Sequence, residues 1–308
     1  MKTNHKIVII GCGMVGSTIA YTLMCNELYD DIVLIDADAN RAEGEAMDIS
    51  HGVPFYRPMN IYAGTYDDIK NADLIIIAAG SGQVDGQTRL DLASRNIEIL
   101  KQIITPIMQR GYSGLLLIVS NPVDVLTYAA WKLSGLPREN VIGSGTVLDS
   151  ARLKYLIGRH IDVDSRSIHA YVIGEHGDSE IAAWSSATVS GVPLSLFYNF
   201  SGRDYDTEQK VRNLAYEIIK KKKATYYGIG ASVNRICESI SRDEQSILPV
   251  SCVMDGEYGI SDVALSVPRI VGSDGIEGYI PLQLNVNEYD ALLESAETLK
   301  RLIHKLGF

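Results

Sequence analysis

The chain has 308 residues, of which 46% are hydrophobic and 21% charged. That balance indicates a folded chain of about two domains and excludes global disorder, and 27 glycines and 9 prolines without a period exclude collagen-like or low-complexity architecture. A net charge of −10 gives no footprint for nucleic acid or an anionic membrane, yet leaves room for a small anionic substrate gripped by a few arginines.

Cys12, Cys25, Cys237 and Cys252 are far apart and form no CxxC pair, which fits reduced thiols in a cytosolic chain. Residues 7–26 form a run of 20 without a charge. That length invites a reading as a membrane span or signal peptide. Gly11, Gly13, Gly16 and several hydroxyl residues argue against both, and the run parses instead as strand, tight turn and helix.

In chain order, residues 6–10 are a β-branched run, 11–16 a turn and 14–28 a helix. Residues 32–35 form a second apolar run that ends at Asp36, and 41–49 are helical. Residues 73–79 (DLIIIAA) are a continuous apolar run of the kind a buried parallel strand needs. Residues 89–110 carry Leu92, Asn96, Ile99 and Ile103 at helical spacing. A strand at 115–119, a helix at 122–134 and a short strand at 141–143 follow. Six strand candidates in all fall before about residue 145. Strands alternating with helices predict a doubly wound parallel sheet, a Rossmann-type α/β domain.

The pattern then changes. A helix at 150–159 and an extended stretch at 167–173 precede helices at 207–222 and 228–241. Extended runs at 247–254, 263–271 and 278–284 lead to a closing helix. This reads as a mixed α+β domain. The boundary is placed within 143–146, giving domains 1–145 and 146–308.

Gly11-Cys12-Gly13-Met14-Val15-Gly16 fits GxGxxG. It follows a strand, opens a helix, and has an acid 20 residues after Gly16. The first glycine makes the turn, the second admits a pyrophosphate, and the third lets helix and strand pack closely. Asp36 can accept the ribose hydroxyls of NAD and would repel the extra phosphate of NADP. Cys12 reads as a small residue where small is needed.

Three further segments stand out. Residues 81–89 follow the DLIIIAA strand, at the end of the sheet where ligands bind. Asp149 and Arg152 are spaced to share one helix face. Taken alone, the pair reads as an ordinary surface ion pair. His176 stands between glycines in Gly174-Glu175-His176-Gly177-Asp178, exposed at a turn and free to reach a ligand, although a lone His is more often structural. No HExxH or Cys/His cluster supplies metal-ligand spacing, so no metal site is expected.

GCGMVG, GQVDGQTRLDL, SNPVD, GSGTVLDSARLK, GEHGDSE and ATYYGIG occur in one order along the whole chain. On these motifs the chain resembles the L-lactate/malate dehydrogenase family, and within it the bacterial NAD-dependent L-lactate dehydrogenases. The resemblance implies a cytoplasmic, fermentative oxidoreductase that is a homotetramer and interconverts pyruvate and L-lactate. His176 would be the proton donor and acceptor, with Asp149 as its carboxylate partner. Arg152 would grip the substrate carboxylate, and Arg89 would polarise the keto group. Asn121 would bond the reacting oxygen, and Thr225 would line the pocket opposite Gln83. Cofactor contacts would come from Gly11, Gly13, Met14, Val15, Gly16, Asp36, Ala79, Gly80 and Asn121.

Gln83 also bears on the substrate, because malate dehydrogenases place Arg there to meet a second carboxylate. Some departures stand out: Val84-Asp85 replaces Lys-Pro, Gln87 replaces Glu, and Lys223 replaces Gly. A hydroxyisocaproate-type or malate dehydrogenase, or a non-enzymatic dinucleotide sensor, are the alternative readings. Many bacterial relatives respond to fructose 1,6-bisphosphate between an Arg and a His. Here His169 matches the His and Lys154 replaces the Arg, so an effector site is expected only in weakened form.

Overall fold

The computed structural model describes residues 5–82, 88–197 and 205–308. In chain order the first half runs β1 (Lys6–Ile10), α1 (Met14–Cys25), β2 (Asp31–Ile35), α2 (Ala39–Ser50), β3 (Asn60–Ala63), β4 (Leu74–Ile77), α3 (Arg89–Gln109), β5 (Leu115–Ile118), α4 (Val123–Ser134) and β6 (Val141–Gly143). The second half contributes α5 (Val147–Ile161), α6 (Tyr205–Lys222), α7 (Tyr227–Ser241), α8 (Val286–Lys305) and several short strands.

The β1–β6 strands are parallel and lie in the order β6-β5-β4-β1-β2-β3. The order reverses between β1 and β4, and a crevice for a ligand opens at the carboxyl ends of strands at such a point. Two strands of the second half, Ser251–Asp255 and Ser261–Ser266, extend the same sheet antiparallel beyond β6.

Alternation along β1 explains why both faces of the sheet are covered. Val8 and Ile10 pack into one core with α3, α4 and α8. Ile7 and Ile9 pack into the other with α1, α2 and α7. A third, smaller core joins α5 and α6 to the short strands between them. The charge-free run at 7–26 is β1, a turn and α1. Among the described residues no helix is long and apolar enough to cross a membrane.

Some expected boundaries shift for local reasons. The first helix stops at Cys25 rather than 28, because Asn26 caps it and Glu27 takes a left-handed φ of 56°. Of the six strands observed before residue 145, β3 is the one for which the sequence gives no bounds. Its alternating exposure gives a weaker apolar signal than its neighbours. Two late runs each divide at a proline: Ser246–Leu248 and Ser251–Asp255 flank Pro249, and Ser261–Ser266 and Arg269–Gly272 flank Pro268. Proline has no N–H for a ladder, so the chain changes sheets there. The stretch at 167–173 likewise divides into Ile168–His169 and Val172–Ile173, which pair with different strands.

Candidate active site

The glycine turn at the end of β1 is shaped by its neighbours. Gly11 has φ 101°, and a Cβ there would lie 2.4 Å from the backbone nitrogen of Ala79. A Cβ on Gly16 would lie 1.8 Å from the Gly11 carbonyl oxygen. Gly13 differs, because a Cβ there would meet nothing within 4 Å. Gly13 is also the N-cap of α1 and makes no side-chain cap. Gly13 and the exposed Met14 thus leave the N-terminus of α1 open, as an anion at a helix N-terminus requires.

Asp36 leaves β2 beside this turn. Its Oδ2 accepts the Cys12 N–H at 2.7 Å, and its Oδ1 accepts the Asp38 N–H at 2.9 Å. These bonds fix the carboxylate and leave lone pairs for ribose hydroxyls. The donor set and the open face at Gly13 fit a dinucleotide. Cys12 is fully buried, and burial, then Asp36, pushes its thiol up to about 12. It fills space.

The exits of β4 and β5 are tied together by Asn96 of α3. Its Oδ1 accepts the Ser81 N–H at 2.7 Å, and its Nδ2 donates to the Asn121 carbonyl at 2.6 Å. Ser120 Oγ donates to the Ala79 carbonyl at 2.6 Å. Gly80 lies against Ser120 and Asn96. Ala79, Gly80 and Asn121 thus line one edge of the crevice, with a cis bond between Asn121 and Pro122.

Beyond that edge lies a charged cluster. Asp149 is in the first turn of α5, and Arg152 is one turn on. The Asp149 side chain is only 3% exposed and that of Arg152 12%, so the pair is not the surface pair that spacing alone suggests. Asp149 Oδ1 accepts from Arg152 Nη1 at 2.8 Å, and its Oδ2 lies 2.6 Å from His176 Nδ1. The His176 side chain is 26% exposed, less open than its glycine neighbours imply. Its backbone N–H donates to Asp124 Oδ2 at 2.8 Å, and Ser251 Oγ donates to the other Asp124 oxygen at 2.6 Å.

These contacts set the charge of the imidazole. Burial alone would lower its pKa, but the Asp149 carboxylate, joined by Asp124 and Glu180, outweighs burial and lifts it to about 9. Burial raises the carboxyl of Asp149, but His176 and Arg152 more than reverse this and hold it below its ordinary value.

Arg89 is the first residue of α3, after a Thr88–Asp91 capping box. It reaches the His176 segment but pairs there with buried Glu175. Glu175 also accepts from Ser179 Oγ at 2.5 Å. Thr225 is half-buried in the connection between α6 and α7. Gln83 lies outside the described residues, as do Val84, Asp85 and Gln87.

Residues 5–143 match the family described as lactate/malate dehydrogenase, NAD binding domain, and residues 146–307 match lactate/malate dehydrogenase, alpha/beta C-terminal domain. The chain belongs to the lactate/malate dehydrogenase family. An L-lactate dehydrogenase of Acetivibrio thermocellus is 49% identical over 99% of this chain and 98% of its own length. L-lactate dehydrogenase 1 of Clostridium acetobutylicum is 45% identical over 99% of this chain and 100% of its own. Among solved structures, a lactate dehydrogenase from a Medee basin deep-sea metagenome library superposes with a TM-score of 0.96 at 44% identity, covering 99% of both chains. The minor L-lactate dehydrogenase of Enterococcus mundtii in its ligand-bound form gives 0.94 at 42% identity, again over 99% of both.

Within this member of the family, the remaining expected residues fall away from the cluster. His169 is exposed on the strand Ile168–His169. Lys154 is half-buried on α5, with its ammonium 5.6 Å from the centre of the Tyr171 ring, and burial lowers its pKa. Lys223, where this lactate/malate dehydrogenase lacks the usual glycine, has φ 72°. That left-handed conformation is the reason glycine suits the position.

Sequence reasoning missed four residues of the site. Asp124, Glu175 and Glu180 lie inside the SNPVD and GEHGDSE motifs without a role assigned to them. Asn96 carried a signal, a polar residue on the apolar face of a helix. Glu180 brings a carboxylate oxygen to Asp149 and His176, with the three potential ligand atoms all within 4.8 Å of one another. Sequence spacing gives no hint of this trio, whose carboxyls come from segments some 30 residues apart. Asp149 is already engaged by His176 and Arg152.

Proposed function

We propose that the chain is an NAD-dependent L-lactate dehydrogenase that interconverts pyruvate and L-lactate, with residues 1–145 holding the dinucleotide and 146–308 supplying the acid/base machinery. The observation that carries this reading is the contiguous Arg152–Asp149–His176 array beside the crevice. NADH would supply the hydride for the keto carbon. Charge then develops on the keto oxygen, and His176 donates its proton there. Nδ1 faces Asp149, so Nε2 is the nitrogen left for substrate. In the reverse direction neutral His176 takes the hydroxyl proton. Asp149 stabilises the imidazolium and fixes the ring.

In this reading Arg152 receives the substrate carboxylate as a two-pronged fork. Arg89 polarises the keto oxygen, Asn121 bonds it, and Thr225 lines the pocket, to which the family motif also assigns Gln83. Gln83 is neutral, so a second substrate carboxylate beside it would lack a partner. Such an unpaired buried charge costs about 3–5 kcal/mol, on the order of 10²–10³-fold against oxaloacetate. Names of relatives support the same choice of substrate.

The reading extends to the cytoplasm, which four unbridged cysteines support, and to a homotetramer, which rests on family precedent. It also extends to a fructose 1,6-bisphosphate site at Lys154 and His169. Lys154 offers a single ammonium rather than a fork, so the response is weaker than an arginine would give. Pyruvate saturation curves with and without the bisphosphate test this.

The deciding experiment is NADH oxidation by the purified protein with pyruvate, oxaloacetate and 2-oxoisocaproate at matched concentrations. Strong preference for pyruvate supports the reading. Preference for oxaloacetate or the branched acid overturns the substrate, and absence of turnover overturns the activity.

A further inference from the structure

We propose that Glu180 is a positioning residue of the acid/base unit, a third carboxyl whose proton is coupled to those of His176 and Asp149. The proposal rests on His176 being the proton donor. Glu180 is 4% exposed, and its carboxyl lies within the same 4.8 Å cluster as Asp149 and His176. Its backbone is fixed on both sides. The Glu180 N–H donates to the Gly177 carbonyl at 3.2 Å, and the Glu180 carbonyl accepts from Arg212 Nη2 at 2.7 Å. These bonds tie the backbone that carries the carboxyl to the His176 segment and to α6.

The charges around it decide its state. Asp149 and Arg152 face it from α5, His176 from its own segment, and Arg212 from α6. Arg212 is also paired with Glu208 at 2.6 Å. Two carboxyls in one desolvated site do not both ionise readily. Asp149 keeps its charge because His176 and Arg152 hold it. Glu180 therefore keeps a proton, and burial, then Asp149, pushes its carboxyl up to about 8.

Substrate binding fits this state. A 2-oxo acid carboxylate on Arg152, together with Asp149, balances Arg152 and the imidazolium. An ionised Glu180 would add an unbalanced negative charge beside the substrate. Productive binding thus requires protonated Glu180 as well as protonated His176. These sites titrate as a coupled pair.

The test compares kcat/KM for pyruvate reduction in the wild type and Glu180→Gln between roughly pH 6 and pH 10. The wild type is expected to show an alkaline limb that steepens from about tenfold toward about a hundredfold per pH unit as both protons leave. Glu180→Gln is expected to show a limb of about tenfold per unit throughout, with a single inflection, because only His176 still titrates. A limb of unchanged slope and midpoint, with activity scaled equally at every pH, overturns the role of Glu180 alone. A wild type without an alkaline limb overturns both this role and His176 as donor.

A second measurement needs no variant. Oxamate binding to the enzyme–NADH complex, followed by calorimetry in two buffers of different ionisation enthalpy, reports proton uptake. Two inflections across the alkaline range are expected, and a single inflection overturns the proposal.

Discussion

His176 Nδ1 lies 2.6 Å from Asp149 Oδ2, and this contact reverses the effect that burial alone has on the imidazole. Asp149 is 27 residues away in sequence. It arrives because the start of α5 is pinned to the strand Val172–Ile173, where Thr146 Oγ1 donates to the Val172 carbonyl at 2.5 Å and the Val172 N–H donates to Ser150 Oγ at 2.8 Å. Asp149→Asn removes the charge and keeps the shape. The imidazole then loses its largest source of positive-charge stabilisation, and burial draws its pKa down. We expect kcat/KM for pyruvate reduction near neutral pH to fall by about 10²–10⁴-fold. NADH affinity, read by nucleotide fluorescence, should stay within about twofold of wild type, because the crevice residues are untouched. Loss of both together would place Asp149 in the scaffold instead.

The direction of the reaction should respond to pH with opposite signs. Reduction needs protonated His176 and oxidation needs the neutral ring. With the imidazole at about 9, the single-turnover rate of pyruvate reduction should fall as pH rises through about 9. The rate of lactate oxidation should rise over the same interval. The same shift affects folding. A raised histidine contributes stability that is fully present below its unfolded value of about 6.5 and is lost as pH rises through about 9. Rapid-mixing kinetics in both directions would falsify the assignment if both rates were flat across that window.

Two of the motif glycines should fail in different ways. Gly16→Ala places a Cβ where the Gly11 carbonyl stands, and that carbonyl is backbone and cannot move aside. We expect it to lose stability by more than about 1 kcal/mol in urea denaturation, as overpacking does. Gly13→Ala meets nothing in the protein, so its stability should stay within about 0.5 kcal/mol of wild type. Its cost should appear in the KM for NADH, raised tenfold or more, on the order of 1.4 kcal/mol. Unaltered NADH binding in Gly13→Ala would mean that the dinucleotide takes another path past α1.

The sheet and the cofactor crevice were largely legible in the sequence because their signals are local. Continuous apolar runs mark buried parallel strands, and GxGxxG with Asp36 is set by one turn and one strand end. The acid/base cluster was legible only through family motifs. Asp149–Arg152 looks like a surface pair until the strand Val172–Ile173 buries it, and His176 looks like an exposed turn residue until Asp124 and Asp149 hold it from two sides. Glu180 and Asp124 were invisible as partners because burial of a carboxyl beside another charge is a tertiary fact. The prolines at 249 and 268 were visible, and the two runs containing them still read as continuous, since apolar composition outweighed a missing N–H.

Arg269 and Glu257 make the strongest stability test. Both side chains are buried, and Arg269 Nη1 donates to Glu257 Oε1 at 2.7 Å. Burial would raise the Glu257 carboxyl, but Arg269 and backbone N–H groups overcome it and hold it at about 2. Arg138 Nη1 stands farther off, at 3.4 Å. Arg269→Met keeps most of the apolar stem and leaves Glu257 with the backbone N–H groups and, as its cation, only the more distant Arg138. Breaking a buried pair from one side costs about 3–5 kcal/mol, and urea denaturation at neutral pH should show a loss of that order. A depressed carboxylate contributes stability above its unfolded value, and that contribution is lost as pH falls through its folded value. The gap between wild type and Arg269→Met should therefore be full at neutral pH and narrow below about pH 4.5, where the unpaired carboxyl takes a proton. Adding Glu257→Gln to Arg269→Met should recover part of the loss at neutral pH, because the uncompensated charge is gone. A gap that is independent of pH and unrelieved by the second substitution would assign the effect to lost packing around Tyr279 rather than to the ion pair.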